Sequence, residues 1–190
     1  MMENAVNETN ETNETNELEK DIVGVVYSVD DIRAMVQKVG RQLSRDYAGK
    51  NPLLVVVLKG SVVFAADLMR AMTIACEVDF ITVSSYVGTQ SSGTIHVIHE
   101  LRTDISGRDV IIVEDIVDSG LTLSKLRELL LQRNPASLKI CALLDKPSGR
   151  KVELAADYAG GEVGDKFIVG YGLDYNEKYR NLPYIGVLKN

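Results

Sequence analysis

The chain has 190 residues, 45% of them hydrophobic and 25% charged. That is the composition of a globular domain whose core needs no disulfide or metal framework. Twenty-one Lys and Arg against 27 Asp and Glu give a formal charge of −6, which argues against a strong non-specific grip on nucleic acid or anionic lipid.

The charge is concentrated at one end. Residues 1–20 hold six Glu and one Lys, a net −5, which leaves −1 for everything after Lys20. Asn7 to Glu17 repeats Asn-Glu-Thr without an apolar residue, so residues 1–20 are predicted to be a disordered tail. The repeat spells glycosylation sequons at Asn7, Asn10 and Asn13. No basic start and apolar run of a signal peptide precedes them, so a cytoplasmic location with bare sequons is expected. Cys76 and Cys141 each sit in an apolar, strand-like stretch and read as small buried side chains, with a spacing that fits no zinc pattern. No apolar run reaches the ~18 residues that suggest a membrane span.

Beyond the tail, Asp30 to Tyr47 carries Ile32, Met35, Val36, Val39 and Leu43 at helical spacing, with Asp30 or Asp31 near the helix start. Leu53 to Leu58 reads as a strand buried on both faces, interrupted by Lys59-Gly60-Ser61. Val62 to Met72 reads as a packed helix and Glu77 to Ser84 as a second strand. Tyr86 to Gly93 is a polar loop, and Thr94 to His99 a further strand. Val110 to Val113 is a third buried strand, Glu114 to Gly120 an acidic loop, Leu121 to Gln132 a helix, and Leu138 to Leu144 a fourth buried strand. After Asp145 the chain turns rich in Gly and Tyr, with a short strand at Phe167 to Val169. Alternating buried strands and helices predict an α/β fold with a mostly parallel twisted sheet flanked by helices. Ligands then collect at the carboxyl ends of the strands, after Leu58, Val113 and Leu144.

The sharpest pattern is Val113-Glu114-Asp115-Ile116-Val117-Asp118-Ser119-Gly120-Leu121-Thr122. Its second half suits a phosphate, held by free N–H groups at a helix start and by two hydroxyls, with Gly120 allowing close approach. Its carboxylates would repel a phosphate. They suit a sugar diol, or a divalent cation that carries other phosphates. Together the halves describe ribose hydroxyls beside a monophosphate; an acidic loop with ordinary helix-capping residues is the plainer alternative. Neither a dinucleotide fingerprint nor a nucleoside-triphosphate loop is present.

This segment resembles the signature of phosphoribosyltransferases of the hypoxanthine-guanine salvage family in their short bacterial form, and the resemblance runs from about Ile22 to the C-terminus. It implies the type I phosphoribosyltransferase fold, a domain over residues 21–190, and a small hood built from about residues 145–190 plus part of the N-terminal segment. It implies that Glu114 and Asp115 hold the ribose hydroxyls, with or without magnesium, that Asp118 handles the N7 proton of the purine, and that Asp118, Ser119, Gly120, Leu121 and Thr122 wrap the 5-phosphate. Some relatives carry Lys where this chain has Leu121, so backbone, hydroxyls and metal must meet that phosphate here.

The remaining strand ends take their roles from the same resemblance. Lys59 and Gly60 match a pyrophosphate loop that often has a cis peptide before the Lys; by pattern alone they are also an ordinary turn. Ser84, Ser85 and Tyr86 match the start of a lid, although the composition also suits a plain solvent loop. Lys146 matches the reader of the purine 6-oxygen, a role its donor-only ammonium suits. Phe167 matches the ring that stacks on the base, Ile168 supplies backbone contacts, Asp174 matches a magnesium ligand, and Arg180 matches a pyrophosphate contact. Arg150 is a weaker phosphate candidate, and His96 and His99 read as structural. The expected reaction transfers 5-phosphoribosyl from phosphoribosyl pyrophosphate to N9 of hypoxanthine or guanine with Mg2+, in a homodimer or homotetramer. The competing readings are a xanthine-preferring enzyme and a phosphoribosyl-pyrophosphate-sensing regulator that binds nucleic acid.

Overall fold

The computed structural model describes residues 17–85 and 95–189. The Asn-Glu-Thr repeat as far as Asn16, the lid residue Tyr86 and the loop to Gly93 lie outside the described residues. Glu17–Asp21 forms a 3₁₀ turn, within the stretch predicted to be tail. Its Leu18 packs with Ile22, Val169, Tyr179 and Leu182, an apolar anchor that the upstream repeat lacks.

Ile22–Tyr27 is β1. Ser28 then caps α1 (Val29–Asp46) reciprocally: its hydroxyl accepts from Asp31 N at 3.2 Å and its own N–H donates to Asp31 Oδ2 at 2.9 Å. Ile32, Val36, Val39 and Leu43 form the buried stripe. β2 is Leu53–Leu58, α2 Val62–Ala71, β3 Glu77–Ser85 and β4 Ile95–His99. β5 is Asp109–Val117, α3 Leu121–Leu131, β6 Ser137–Asp145, β7 Tyr158–Glu162, β8 Ile168–Val169 and β9 Ile185–Leu188.

Six strands form the main sheet in the order β4-β3-β2-β5-β6-β7, parallel except for the antiparallel edge strand β4. Alternate residues of the central strands feed opposite cores. Leu54, Val56, Ile111 and Val113 pack with α1 and α2, while Leu53, Val55, Val110 and Ile112 pack with Leu123, Leu126 and Leu130 of α3. Burial on both faces is why these strands read as unbroken apolar runs. β1, β9 and β8 form a separate antiparallel sheet.

The order places the chain's reversal between β2 and β5. From β2 the chain passes through α2 to β3 on one side; from β5 it passes through α3 to β6 on the other. Such a switch point opens a crevice at the carboxyl ends of the two strands, and Lys59 and the acidic segment border it.

Three boundaries differ from the sequence expectation. The strand ending at Val113 continues through Glu114 and Asp115 to Val117, so those carboxylates stand on a strand and not in a loop. The cause is the ladder with β6, where Glu114 pairs with Ala142, Ile116 with Leu144 and Val117 with Asp145. Phe167 precedes β8. Cys76 precedes β3 and is half-buried, whereas Cys141 is fully buried in β6. His96 and His99 are exposed on β4. Among the described residues, no helix is long and apolar enough to cross a membrane.

Candidate active site

Ladder pairing carries β5 into the crevice and presents its two adjacent acids there, both half-buried. Loss of water around Glu114, and then the charge of Asp115, push the Glu114 carboxyl well above its usual range. Burial also raises Asp115, against hydrogen bonds from Glu114 and from its neighbouring backbone, Ile116 N lying 2.7 Å from Oδ1. Two desolvated acids, one hydrogen-bonded to the other, are poised for a cation or for hydroxyl donors.

After Val117 the chain turns through Asp118 and Ser119 to Gly120, whose φ of 75° starts α3 from the left-handed region. Ser124 N donates to Gly120 O at 2.8 Å, and Leu121 N reaches Ser119 Oγ at 3.4 Å. A cavity of about 270 Å³ lies over this turn, bounded by Leu58, Glu114, Asp118, Ser119, Gly120 and Thr122 among others. A second, of about 260 Å³, is lined by Asp115, Asp118, Lys146, Phe167, Ile168 and Asp174, with Ile116, Lys166 and Leu173. Ile116 and Asp118 border both cavities. A third concavity, about 370 Å³, lies between α1 and α2 and contains none of the predicted site residues.

The Leu58–Lys59 peptide is cis. Gly60 lies directly against Asp115: a Cβ there would stand 1.7 Å from Asp115 Oδ2. Asp118 rests likewise on Gly149, where a Cβ would stand 1.8 Å from Oδ1. Both glycines provide space that either acid would otherwise lose.

Lys146 N donates to Val117 O at 3.0 Å, and its Nζ lies 3.4 Å from Asp165 Oδ1. Phe167 is half exposed and meets the Tyr175 ring edge-on, with centroids 5.4 Å apart. Arg180 donates from Nη1 to Gly172 O at 2.7 Å, and its Nη2 lies 2.9 Å from Asp174 Oδ1. Lys59 Nζ reaches Glu177 Oε2 at 3.1 Å.

The fold thus gathers Glu114, Asp115, Asp118, Ser119, Gly120 and Thr122 with Lys146, Phe167, Ile168 and Asp174 around two adjoining cavities. Leu121, the remaining residue of the predicted phosphate wrap, is exposed at the start of α3. Gly60 abuts Asp115, Arg180 pairs with Asp174, and Glu177 links Lys59 to Arg180. Ser84 and Ser85 end β3, while Tyr86 lies outside the described residues. Arg150 is committed elsewhere: it pairs with Asp145 and donates to the carbonyls of Val117 and Asp118, bracing the turn before Ser119. Sequence reasoning missed Gly149 and Glu177. Neither carries a local pattern; each matters through one contact across the fold.

The model of the phosphoribosyl transferase domain matches residues 26–176. A hypoxanthine-guanine phosphoribosyltransferase of Streptococcus thermophilus is 53% identical over 173 residues, covering 90% of this chain and 96% of that protein. One from Streptococcus pneumoniae is 54% identical over the same shares. The crystal structure of a hypoxanthine phosphoribosyltransferase from Staphylococcus aureus superposes with a TM-score of 0.89 at 44% identity, covering 93% of this chain and 96% of that one.

Proposed function

From the premise that the chain belongs to the phosphoribosyltransferase family, in its hypoxanthine-guanine branch, we propose how its own residues carry the reaction. The protein is a purine-salvage transferase that moves 5-phosphoribosyl from phosphoribosyl pyrophosphate to a 6-oxopurine. The bond from the sugar C1 to the pyrophosphate oxygen breaks, and its electron pair leaves with pyrophosphate. Purine N9 bonds to C1, and the proton the base must lose goes from N7 to Asp118.

The observation that carries this assignment is the position of Asp118, which borders both cavities. One cavity has the N–H groups and hydroxyls of a phosphate site; the other has Lys146 and Phe167, an oxygen-directed donor and a stacking ring. A base at their junction can take the purine proton while the ribose phosphate is held alongside. Glu114 and Asp115 orient the ribose through its hydroxyls. Lys146 donates to O6, which disfavours adenine because its 6-amino group is itself a donor. Lys59, Gly60 and Arg180 receive the departing pyrophosphate.

Among the described residues, no three His, Cys, Asp or Glu side chains form a ready-made metal cage. That suits magnesium, which usually binds through one or two carboxylates, waters and substrate phosphates. Glu114, Asp115 and Asp174 supply the hard oxygen donors it needs, and the desolvated Glu114–Asp115 pair gains from a cation. When bound, magnesium neutralises charge on the leaving pyrophosphate.

The three-stranded β1-β9-β8 sheet and the segment that follows β7, from Val163 to Asp174, serve as the hood over the base. A cytoplasmic enzyme fits the free thiols of Cys76 and Cys141, and assembly into a dimer or tetramer through the segment after Lys59 fits the exposed Val62. Initial velocities with magnesium, phosphoribosyl pyrophosphate and each of hypoxanthine, guanine, xanthine and adenine test the reading. Turnover of the first two with little of adenine is expected; xanthine as best substrate would overturn the base assignment.

A further inference from the structure

The two cations assigned to pyrophosphate already hold an anion. Glu177 Oε2 lies 3.1 Å from Lys59 Nζ and 3.4 Å from Arg180 Nη2. The turn that delivers it is tightly built. Tyr175 and Lys178 exchange backbone hydrogen bonds of 3.2 and 3.1 Å, Asn176 and Glu177 have φ of 51° and 64°, and Glu177 N donates to Asp174 Oδ2 at 2.9 Å. Two consecutive non-glycine residues in the left-handed region are uncommon, and here they aim a carboxylate at a lysine 118 positions earlier.

Arg180 is anchored from the other side, its Nη2 also lying 2.9 Å from Asp174 Oδ1. Its Nε is buried and makes no hydrogen bond, while Nη1 is fixed on Gly172 O. Lys59 and Glu177, by contrast, are mostly exposed, with side-chain exposures of 65% and 64%. Exposed ion pairs exchange partners at little cost. The contact is therefore placed on the groups that should grip pyrophosphate, and it is weak enough to be displaced.

We propose that Glu177 is a built-in competitor for pyrophosphate: its carboxylate occupies the Lys59–Arg180 clamp, yields to the diphosphate of the incoming donor, and returns to speed release of the product. The inference rests on Lys59 and Arg180 being the pyrophosphate contacts. It adds that a neighbouring acid sets how tightly they hold it. A purely structural ion pair would leave pyrophosphate affinity unchanged when the acid is neutralised.

The test measures equilibrium binding of magnesium pyrophosphate, and separately of inosine monophosphate, to the wild type, Glu177→Gln, Glu177→Asp and Lys59→Ala. Removing one unit of repulsion at contact distance in a solvated site should tighten pyrophosphate roughly fivefold in Glu177→Gln, with the gain shrinking at high salt. Glu177→Asp should stay close to wild type, inosine monophosphate binding should be unaltered in both, and KM for phosphoribosyl pyrophosphate should fall in Glu177→Gln. Unchanged or weaker pyrophosphate binding in Glu177→Gln, with intact nucleotide binding, overturns the proposal. Undiminished pyrophosphate binding in Lys59→Ala would instead overturn the clamp assignment beneath it.

Discussion

Replacing Gly60 with alanine puts the interlock between the pyrophosphate turn and the ribose-binding acid under direct strain. The added Cβ would lie 1.7 Å from Asp115 Oδ2 and 2.7 Å from its Cγ, where real contacts stay beyond 3.0 Å. The carboxylate must therefore retreat by at least 1.3 Å, or the turn after the Leu58–Lys59 peptide must move instead. Asp115 is not free to swing, because its other oxygen accepts from Ile116 N at 2.7 Å. Overpacking of this kind costs about 2 kcal/mol, or ~6 °C in Tm for a chain of this size. The catalytic loss should be larger in proportion, since a misplacement of about 1 Å can cost ~100-fold. Denaturation curves and kcat/KM for phosphoribosyl pyrophosphate measure both effects. Gly24→Ala is the control, because a Cβ there meets nothing within 4 Å, and its stability should stay within about 0.5 kcal/mol. If Gly60→Ala acts through Asp115, its catalytic effect should largely vanish in an Asp115→Ala background. Wild-type activity in Gly60→Ala, or a full additional loss in that background, would refute the interlock.

Glu114→Gln should stabilise the free protein while weakening the donor. Burial and the Asp115 charge raise the Glu114 pKa, so the folded protein keeps a proton that the unfolded chain releases, and stability is lost as pH rises from the ordinary carboxylate range through the folded value. The variant should melt ~2–6 °C higher at neutral pH and lose that advantage near pH 4; an advantage constant with pH would contradict the cause. Lys146→Ala should narrow the preference for hypoxanthine over adenine by about tenfold, as expected for a lost charge-assisted hydrogen bond; unchanged selectivity in paired kcat/KM measurements would remove Lys146 from base reading.

The central strands were legible because β2, β5 and β6 are buried on both faces, which leaves apolar runs that nothing else explains. α1 was legible from its stripe and from the Asp near its start, Asp31 sharing the cap with Ser28. β7 was not: Tyr-Ala-Gly-Gly-Glu has poor strand character, and its place is set by pairing with β6, where Cys141 meets Tyr158 and Leu144 meets Gly161. β1 and β9 share that history, since they define each other through an antiparallel ladder that only the fold brings together. Read locally, Glu114 and Asp115 look like loop residues because two adjacent charges rarely end a strand. The ladder to β6 overrides that local preference.

The acids and the phosphate turn of the site were visible because they are contiguous. Lys59, Lys146, Phe167 and Arg180 needed the family resemblance, since a single Lys or Phe at a strand end has no pattern of its own. Gly149 under Asp118 and Glu177 on Lys59 were invisible, being contacts across 31 and 118 positions. Arg150 drew attention through its charge, but that charge is used to hold Asp145 and the carbonyls of Val117 and Asp118.

The most direct test of the account is a single-turnover measurement on Asp118→Asn with guanine and saturating phosphoribosyl pyrophosphate, read beside donor affinity. If Asp118 takes the purine proton at the junction of the two cavities, the chemical step should slow by roughly 100- to 10,000-fold while donor affinity changes only a few-fold. Equal losses in rate and affinity would make Asp118 a phosphate-loop residue and contradict its role as the base.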